Sequence, residues 1–305
     1  MTESVGTQAT STGSDASRVD PATGLAVVTG GTRGIGRELA QGLAAAGHPV
    51  LLTGRSEASA QAAAQRVTDE LTAGAGAGAG SVRVAGTVLD VTDAASVATF
   101  ADTVAGTAEQ WGTPLRTLVN NAGLVEASEG PLWEADPEDL ARVVDTNLTG
   151  VIRVLHALLP QLLTAAEDTG APVRIIDLNS GSGAHGTPPH AVYAASKTGL
   201  FRIAQSLVEY GHDRGLRVFE MSPGVVDSDM TRSMPIHDHR TADDWTDPQL
   251  VADLAVALAS GGLDGWTGRY VRAGVDTPES LARSQPELVA GELGDDYRTL
   301  DLRMR

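Results

Sequence analysis

One stretch near the start of the chain, GLAVVTGGTRGIGRELAQGLAAAG over residues 24–47, narrows the possible folds more than any other. The short apolar run Leu25 to Val28 reads as a buried strand, and glycines follow it. Ile35, Leu39 and Leu43 then recur at helical spacing. Gly30, Gly34 and Gly36 allow backbone to approach a pyrophosphate, and the free amides and dipole of a helix start attract its negative charge. Glycines alone also punctuate ordinary turns; the strand before them and the helix after them supply the context of a dinucleotide site.

A second unit follows, with a strand from Pro49 to Thr53 that ends in GRS. Where such a fold selects NAD, an acidic residue near this strand end usually takes the ribose 2′-hydroxyl. Here the position holds Arg55, and Arg33 in the glycine turn can reach the same region. Two guanidiniums around one spot suit a 2′-phosphate and favour NADPH; the competing reading is a pair of solvated surface arginines. A helix from about Glu57 to Leu71 leads into AGAGAGAG, residues 73–80, which reads as a flexible surface connection.

The third strand, VRVAGTVLDV, ends at Asp90, whose carboxylate can accept from an adenine amino group, while the neighbouring Thr-Asp pair can cap the next helix. Strand LRTLVN runs into NNAG, Asn120 to Gly123, either a plain turn or the carboxyl end of a strand beside a ligand crevice. From Pro137 to about Leu163 the apolar spacing predicts one long helix, with Asn147 on its buried side as a structural link or a water holder. Strand VRIIDLN delivers Ser180, the next helix presents Tyr193 and Lys197, and a further strand, a Pro-Gly stop, a helix and the strand GRYVRAG complete the alternation. The fold class predicted is α/β: a Rossmann-type, doubly wound parallel sheet with helices on both faces.

Composition excludes more than it assigns. The chain has 305 residues and a formal charge of −17, which opposes binding to nucleic acid or anionic membranes. No cysteine is present, so thiolate metal sites and disulfides are excluded. Residues 1–22 are rich in Ser, Thr, Gly and Asp and read as a disordered tail with neither a basic start nor an apolar run. The expected location is the cytoplasm, without a membrane span.

Of the 22 lysines and arginines only Lys197 is lysine, so a compact, tunable ammonium is wanted there rather than a guanidinium. Tyr193 lies four residues earlier, on the same helical face. A tyrosine titrates near 10 when unperturbed; a neighbouring ammonium favours the phenolate and is expected to lower that value. With Ser180 to hydrogen-bond a substrate oxygen, the three groups can hold a carbonyl and hand it a proton while a cofactor delivers hydride.

Taken in order and with their gaps, TGGTRGIG, NNAG, Asn147, Ser180, YAASK and PGVVDSDM resemble the short-chain dehydrogenase/reductase family over residues 23–274. The resemblance implies a seven-stranded Rossmann sheet. It places Thr29, Gly30, Gly34, Ile35 and Gly36 around the pyrophosphate, with Thr32 and Arg33 in the same turn, and Asp90 and Val91 at the adenine. It puts Asn121, Ala122 and Gly123 beside the adenosine side, and Pro223, Gly224, Val226 and Ser228 at the nicotinamide end. By the same carry-over Tyr193 is the proton donor, Lys197 also binds the nicotinamide ribose, Ser180 orients the carbonyl and Asn147 holds a relay water. The family's habitual threonine and asparagine near the Pro-Gly turn are replaced by Ser228 and Phe219.

The expected activity is NADPH-dependent reduction of a ketone to an alcohol, reversibly. The alternatives are other chemistry on the same fold (dehydration, epimerisation, oxidative ring chemistry) or non-catalytic NADPH binding. A lid is expected over about 228–247, where Met234, Ile236 and Trp245 suggest an apolar or aromatic substrate. His237, Asp238 and His239 lack a convincing third ligand and a second shell, so no metal is expected. Residues 275–305 extend past the family core and can pack on the domain, cap the site or join a subunit contact. A homodimer or homotetramer is the family's habit.

Overall fold

The computed structural model describes residues 23–74 and 82–300. The tail at 1–22 and most of the glycine-alanine run lie outside the described residues. Seven strands, β1 Leu25–Val28, β2 Val50–Gly54, β3 Val84–Val88, β4 Leu115–Asn120, β5 Val173–Leu178, β6 Leu216–Ser222 and β7 Tyr270–Arg272, form one sheet. Ten helices connect and flank them: α1 Gly34–Ala45, α2 Glu57–Gly74, α3 Ala94–Trp111, α4 Pro137–Val144, α5 Gly150–Thr169, α6 Gly181–His185, α7 Ala191–Gly211, α8 Asp229–Arg232, α9 Pro248–Ala259 and α10 Pro278–Val289.

The sheet is parallel throughout, in the order β3-β2-β1-β4-β5-β6-β7. This is the Rossmann-like arrangement expected from the sequence. The order reverses between β1 and β4, and a crevice opens beyond the carboxyl ends of strands at such a point. Every residue of β1, β2, β4 and β5 is buried, because helices cover both faces and no solvent face exists to receive polar side chains. On one face Leu39 and Leu43 of α1, Val67 of α2 and Leu254 and Leu258 of α9 pack together. On the other, Phe100 of α3, Leu158 of α5 and Leu200 of α7 form the second layer.

Two readings of the sequence change here, and a third narrows to one of its alternatives. The long helix from Pro137 is interrupted at Asp145–Thr149 by a wider π turn, and Asn147 sits inside it, wholly buried. The segment Pro137–Thr169 is, by length and hydropathy, apolar enough to cross a membrane, contrary to the expectation that no stretch is. Its apolar side is nevertheless occupied, since Val154, Leu155, Leu158 and Leu162 are at most 3% exposed against the sheet. In the C-terminal segment, Leu281 and Leu288 of α10 join the first core, and the Trp266 indole donates to the Leu281 carbonyl at 3.0 Å.

Candidate active site

The glycine turn is shaped by two residues in the left-handed region, Gly30 at φ +64° and Gly34 at φ +53°. A Cβ added to Gly36 would come within 2.3 Å of the Gly30 carbonyl, so turn and helix touch backbone to backbone. A Cβ at Gly34 would meet nothing within 4 Å; it points into open space. Arg33 at the start of α1 makes no capping hydrogen bond, which leaves the first amides of the helix to an anion. A concave turn, uncapped amides and one open glycine fit a pyrophosphate.

The turn is held from β4. Asn121 Nδ2 donates to the carbonyls of Thr29 and Gly30 at 2.9 and 3.1 Å, and the Thr29 hydroxyl accepts from the amides of Asn121 and Ala122, both at 3.0 Å. The side chains of Thr29 and Asn121, expected beside the cofactor, thus brace the cradle. A Cβ on Gly123 would press on Asn147 Oδ1 at 3.2 Å. Ile35 and Thr32 line the turn partly buried, and Arg33 is exposed.

At the far end of the crevice Arg55 is exposed at the end of β2 and its charge acts on Asp90. Asp90 Oδ1 accepts from the amide and hydroxyl of Thr92 at 2.9 and 2.7 Å, bonds that hold its carboxyl below the usual range, and Val91 beside it is 7% exposed. Arg33 is ion-paired with Asp229 of α8, across the crevice mouth, and both side chains are exposed. Such a pair contributes about 0–1 kcal/mol and can be exchanged for a phosphate.

Ser180, Tyr193 and Lys197 come together at the carboxyl end of β5. Ser180 starts α6, its Oγ accepting from the Ser182 amide at 3.1 Å, and its hydroxyl lies within hydrogen-bonding reach of the Tyr193 phenol. Lys197 Nζ lies 5.9 Å from the centre of the Tyr193 ring and donates to the Leu178 carbonyl at 2.5 Å. The expected low phenol does not occur in this conformation. Burial pushes Tyr193 above the ordinary tyrosine value, the Ser180 hydrogen bond opposes that, and Glu126 and Tyr270 add to the rise. Lys197 is itself pulled down to about 8 by burial, against the opposing charges of Glu220 and Asp177.

The Asn147 side chain makes a structural link. Its Oδ1 accepts from the Leu124 amide at 2.9 Å, and its Nδ2 donates to the Leu124 carbonyl at 2.7 Å and the Ser196 hydroxyl at 3.2 Å. Both amide hydrogens are committed, so a relay water would be held by the Asn147 main chain or by the remaining lone pair of Oδ1.

At the end expected to take the nicotinamide, Ser228 caps α8 in a reciprocal box with Thr231, so its hydroxyl is engaged. Val226 is 4% exposed and its carbonyl accepts from the Thr231 hydroxyl at 2.6 Å. Gly224, after Pro223, has φ +72° and lies so close to Thr246 that a Cβ would approach Thr246 Oγ1 to 2.2 Å. The segment expected to form a lid holds short helical turns at Pro235–His237 and Ala242–Asp244. Met234 is buried, and the Trp245 ring faces Arg240 at 5.7 Å and His237 at 6.2 Å, so Trp245 is engaged within the lid. Among the described residues no cluster of three or more acidic or histidine side chains is placed to hold a metal.

Several residues of this site were not singled out from the sequence. Glu126 Oε1 accepts from the amides of Val192 and Tyr193 at 2.8 and 3.0 Å and so caps α7. His190 lies between Glu126, at 3.5 Å, and Glu129, at 3.1 Å, and Glu129 in turn accepts from the Ile236 amide of the lid at 2.8 Å. Tyr270 of β7 stands beside Tyr193 and Ser222. Asp177 and Glu220, whose charges act on Lys197, belong with them and do carry a signal in the sequence, an acidic residue inside an apolar strand in RIIDLN and RVFEMS.

Residues 24–238 match the family described as short chain dehydrogenase. A short chain dehydrogenase of Monascus purpureus is 36% identical over 267 residues, 87% of this chain and 85% of its own length. The 3-oxoacyl acyl-carrier-protein reductase of Escherichia coli is 33% identical over 210 residues, 69% of this chain and 76% of its own. Among solved structures, the corresponding Brucella melitensis reductase in complex with NAD superposes with a TM-score of 0.71 at 27% identity, over 85% of this chain and 97% of its own. A variant of actinorhodin polyketide ketoreductase with NADPH gives 0.68 at 27% identity, over 84% and 97%.

Proposed function

The chain belongs to the short-chain dehydrogenase/reductase family, and on that premise we propose that it reduces a ketone to an alcohol with NADPH, reversibly. The observation that carries this reading is the convergence of Ser180, Tyr193 and Lys197 at the end of β5, on the same sheet edge as the open glycine turn after β1. Ser180 holds the substrate oxygen, and its hydrogen bond to Tyr193 aligns the phenol. Tyr193 hands its proton to that oxygen as the carbonyl carbon is reduced, and a phenol kept protonated by burial suits this direction. Lys197 stabilises the phenolate left behind. The cofactor, when bound, supplies the hydride.

The relatives bind NAD in one case and NADPH in another, so the choice here is argued from this chain's own residues. Arg55 occupies the strand end where an acidic residue would favour NAD, and Arg33 stands at the start of α1, held only by an exposed ion pair. Both guanidiniums support a 2′-phosphate.

Purified protein given NADPH and a panel of ketones tests this directly. Stoichiometric cofactor oxidation with alcohol formation is expected, and Tyr193→Phe should reduce turnover by about 100-fold or more. Turnover unchanged in Tyr193→Phe, or product formed without net cofactor oxidation, would refute it; the second result would point to dehydration or epimerisation on the same fold.

A further inference from the structure

Asp177 in β5 and Glu220 in β6 are register partners on neighbouring strands, 0% and 1% exposed. Asn120 Nδ2 donates to Asp177 Oδ1 at 2.7 Å, and Asn179 Nδ2 donates to Glu220 Oε2. The other two oxygens, Asp177 Oδ2 and Glu220 Oε1, find no amide, hydroxyl or guanidinium donor, and the two carboxyls lie within hydrogen-bonding reach of each other. Two ionised carboxylates cannot face one another without water between them; one proton between them satisfies both. The pair then carries a single negative charge.

That charge faces Lys197. Asn179 Nδ2, which holds Glu220, also donates to the Lys197 carbonyl at 3.0 Å, and Lys197 Nζ donates to the carbonyl of Leu178, the residue between Asp177 and Asn179. Dyad, amide and ammonium are one connected unit beneath the proposed site. We propose that Asp177 and Glu220 are positioning residues for the reaction: they share one proton and set a single buried negative charge behind Lys197, which keeps its ammonium charged. The proposal rests on the reading of Ser180, Tyr193 and Lys197 given above.

The electrostatics run the same way. Burial drives Lys197 down, to about 8, and the charges that oppose it are Glu220 and Asp177. Burial raises both acids, Asp177 to about 6 and Glu220 well above the usual carboxylate range, with each carboxyl acting on the other. The titratable groups above Lys197, Tyr193 of α7 and Tyr270 of β7, are both raised by burial and so are neutral at neutral pH. Glu126 acts on Tyr193 from the opposite side.

Amide substitutions separate charge from shape. In Asp177→Asn or in Glu220→Gln, the new amide supplies the donor that the shared proton supplied, and the remaining carboxyl keeps the negative charge. The double variant keeps the volume and loses the charge. For carbonyl reduction, the alkaline limb of the kcat/KM profile is expected to stay within about 0.3 pH unit in each single variant and to fall by about one unit or more in the double. A double variant that overlays the wild type, or single variants that shift as far as the double, overturns the proposal. Infrared spectroscopy gives a reading independent of turnover and of whether the double variant folds. The wild type at neutral pH should show the carbonyl stretch of a buried protonated carboxyl, and each single variant should lack it. A wild type without that band overturns the proposal even if the enzyme reduces ketones. A folded wild type that shows the band but reduces none counts against the functional reading instead.

Discussion

Replacing Glu126 by alanine is expected to destabilise the protein by about 3 kcal/mol and to displace the tyrosine that the proposed chemistry needs. Glu126 Oε1 accepts from the amides of both Val192 and Tyr193, at 2.8 and 3.0 Å, and the side chain is 4% exposed. His190 at the start of α7 provides no capping bond of its own, so Glu126 serves as the cap from a distant loop. Alanine leaves two amides without an acceptor, at about 1–3 kcal/mol each, and removes an acidic group from a helix N-terminus, about 0.3–1 kcal/mol more. Water entering the vacated space offsets part of that sum. Glu126→Gln keeps an acceptor in place and should cost only about 1 kcal/mol. The glutamine variant should also ionise the Tyr193 phenol at lower pH, because Glu126 helps raise it. Urea unfolding followed by circular dichroism reads the stability, and ultraviolet difference titration against the wild type reads the phenol. An alanine variant within about 0.5 kcal/mol of wild type, or a glutamine variant as damaged as alanine, would refute the capping role.

Arg55→Asp should shift preference from NADPH toward NADH, measured as the ratio of the two dissociation constants; equal affinities in the wild type would remove the basis for the assignment. Gly36→Ala drives a methyl to 2.3 Å from the Gly30 carbonyl and should lower stability by about 1–3 kcal/mol and lose cofactor binding with it. Gly34→Ala meets no protein atom and should cost only the strain of φ +53°, about 1–2 kcal/mol, while its methyl weakens cofactor binding measured by calorimetry. Lys197→Arg keeps the charge but puts a guanidinium where a 6% exposed ammonium is enclosed, and turnover should fall by about 100-fold; near-wild-type turnover would show that the lone lysine has no special part.

The features legible in the sequence are those fixed over short distances. The glycine turn was legible because close backbone approach and positive φ demand glycine whatever the rest of the chain does. Tyr193 and Lys197 were legible because four residues in a helix place two side chains on one face. What was missed depends on partners brought from afar. The Asn147 amide is committed to Leu124 and Ser196, and Glu126 reaches α7 from the loop after β4. Asp177 meets Glu220 only because β5 and β6 pair in one particular register. At Tyr193 the sequence shows Lys197 one turn away, but not the burial that sets the direction of the phenol's shift. The cap at Ser228 has a local cause, since a serine three residues ahead of Thr231 is placed to form a reciprocal box with it.

The central claim is that hydride arrives at a carbonyl carbon while Tyr193, held by Ser180 and Lys197, protonates the oxygen. Transfer of deuterium from NADPH labelled at the reactive nicotinamide carbon, followed by mass spectrometry of the alcohol, tests it most directly. One deuterium on the carbinol carbon is expected with wild-type protein, and transfer about 100-fold slower or more with Tyr193→Phe. Alcohol formed without label, or label transferred as fast by Tyr193→Phe as by wild type, would contradict it.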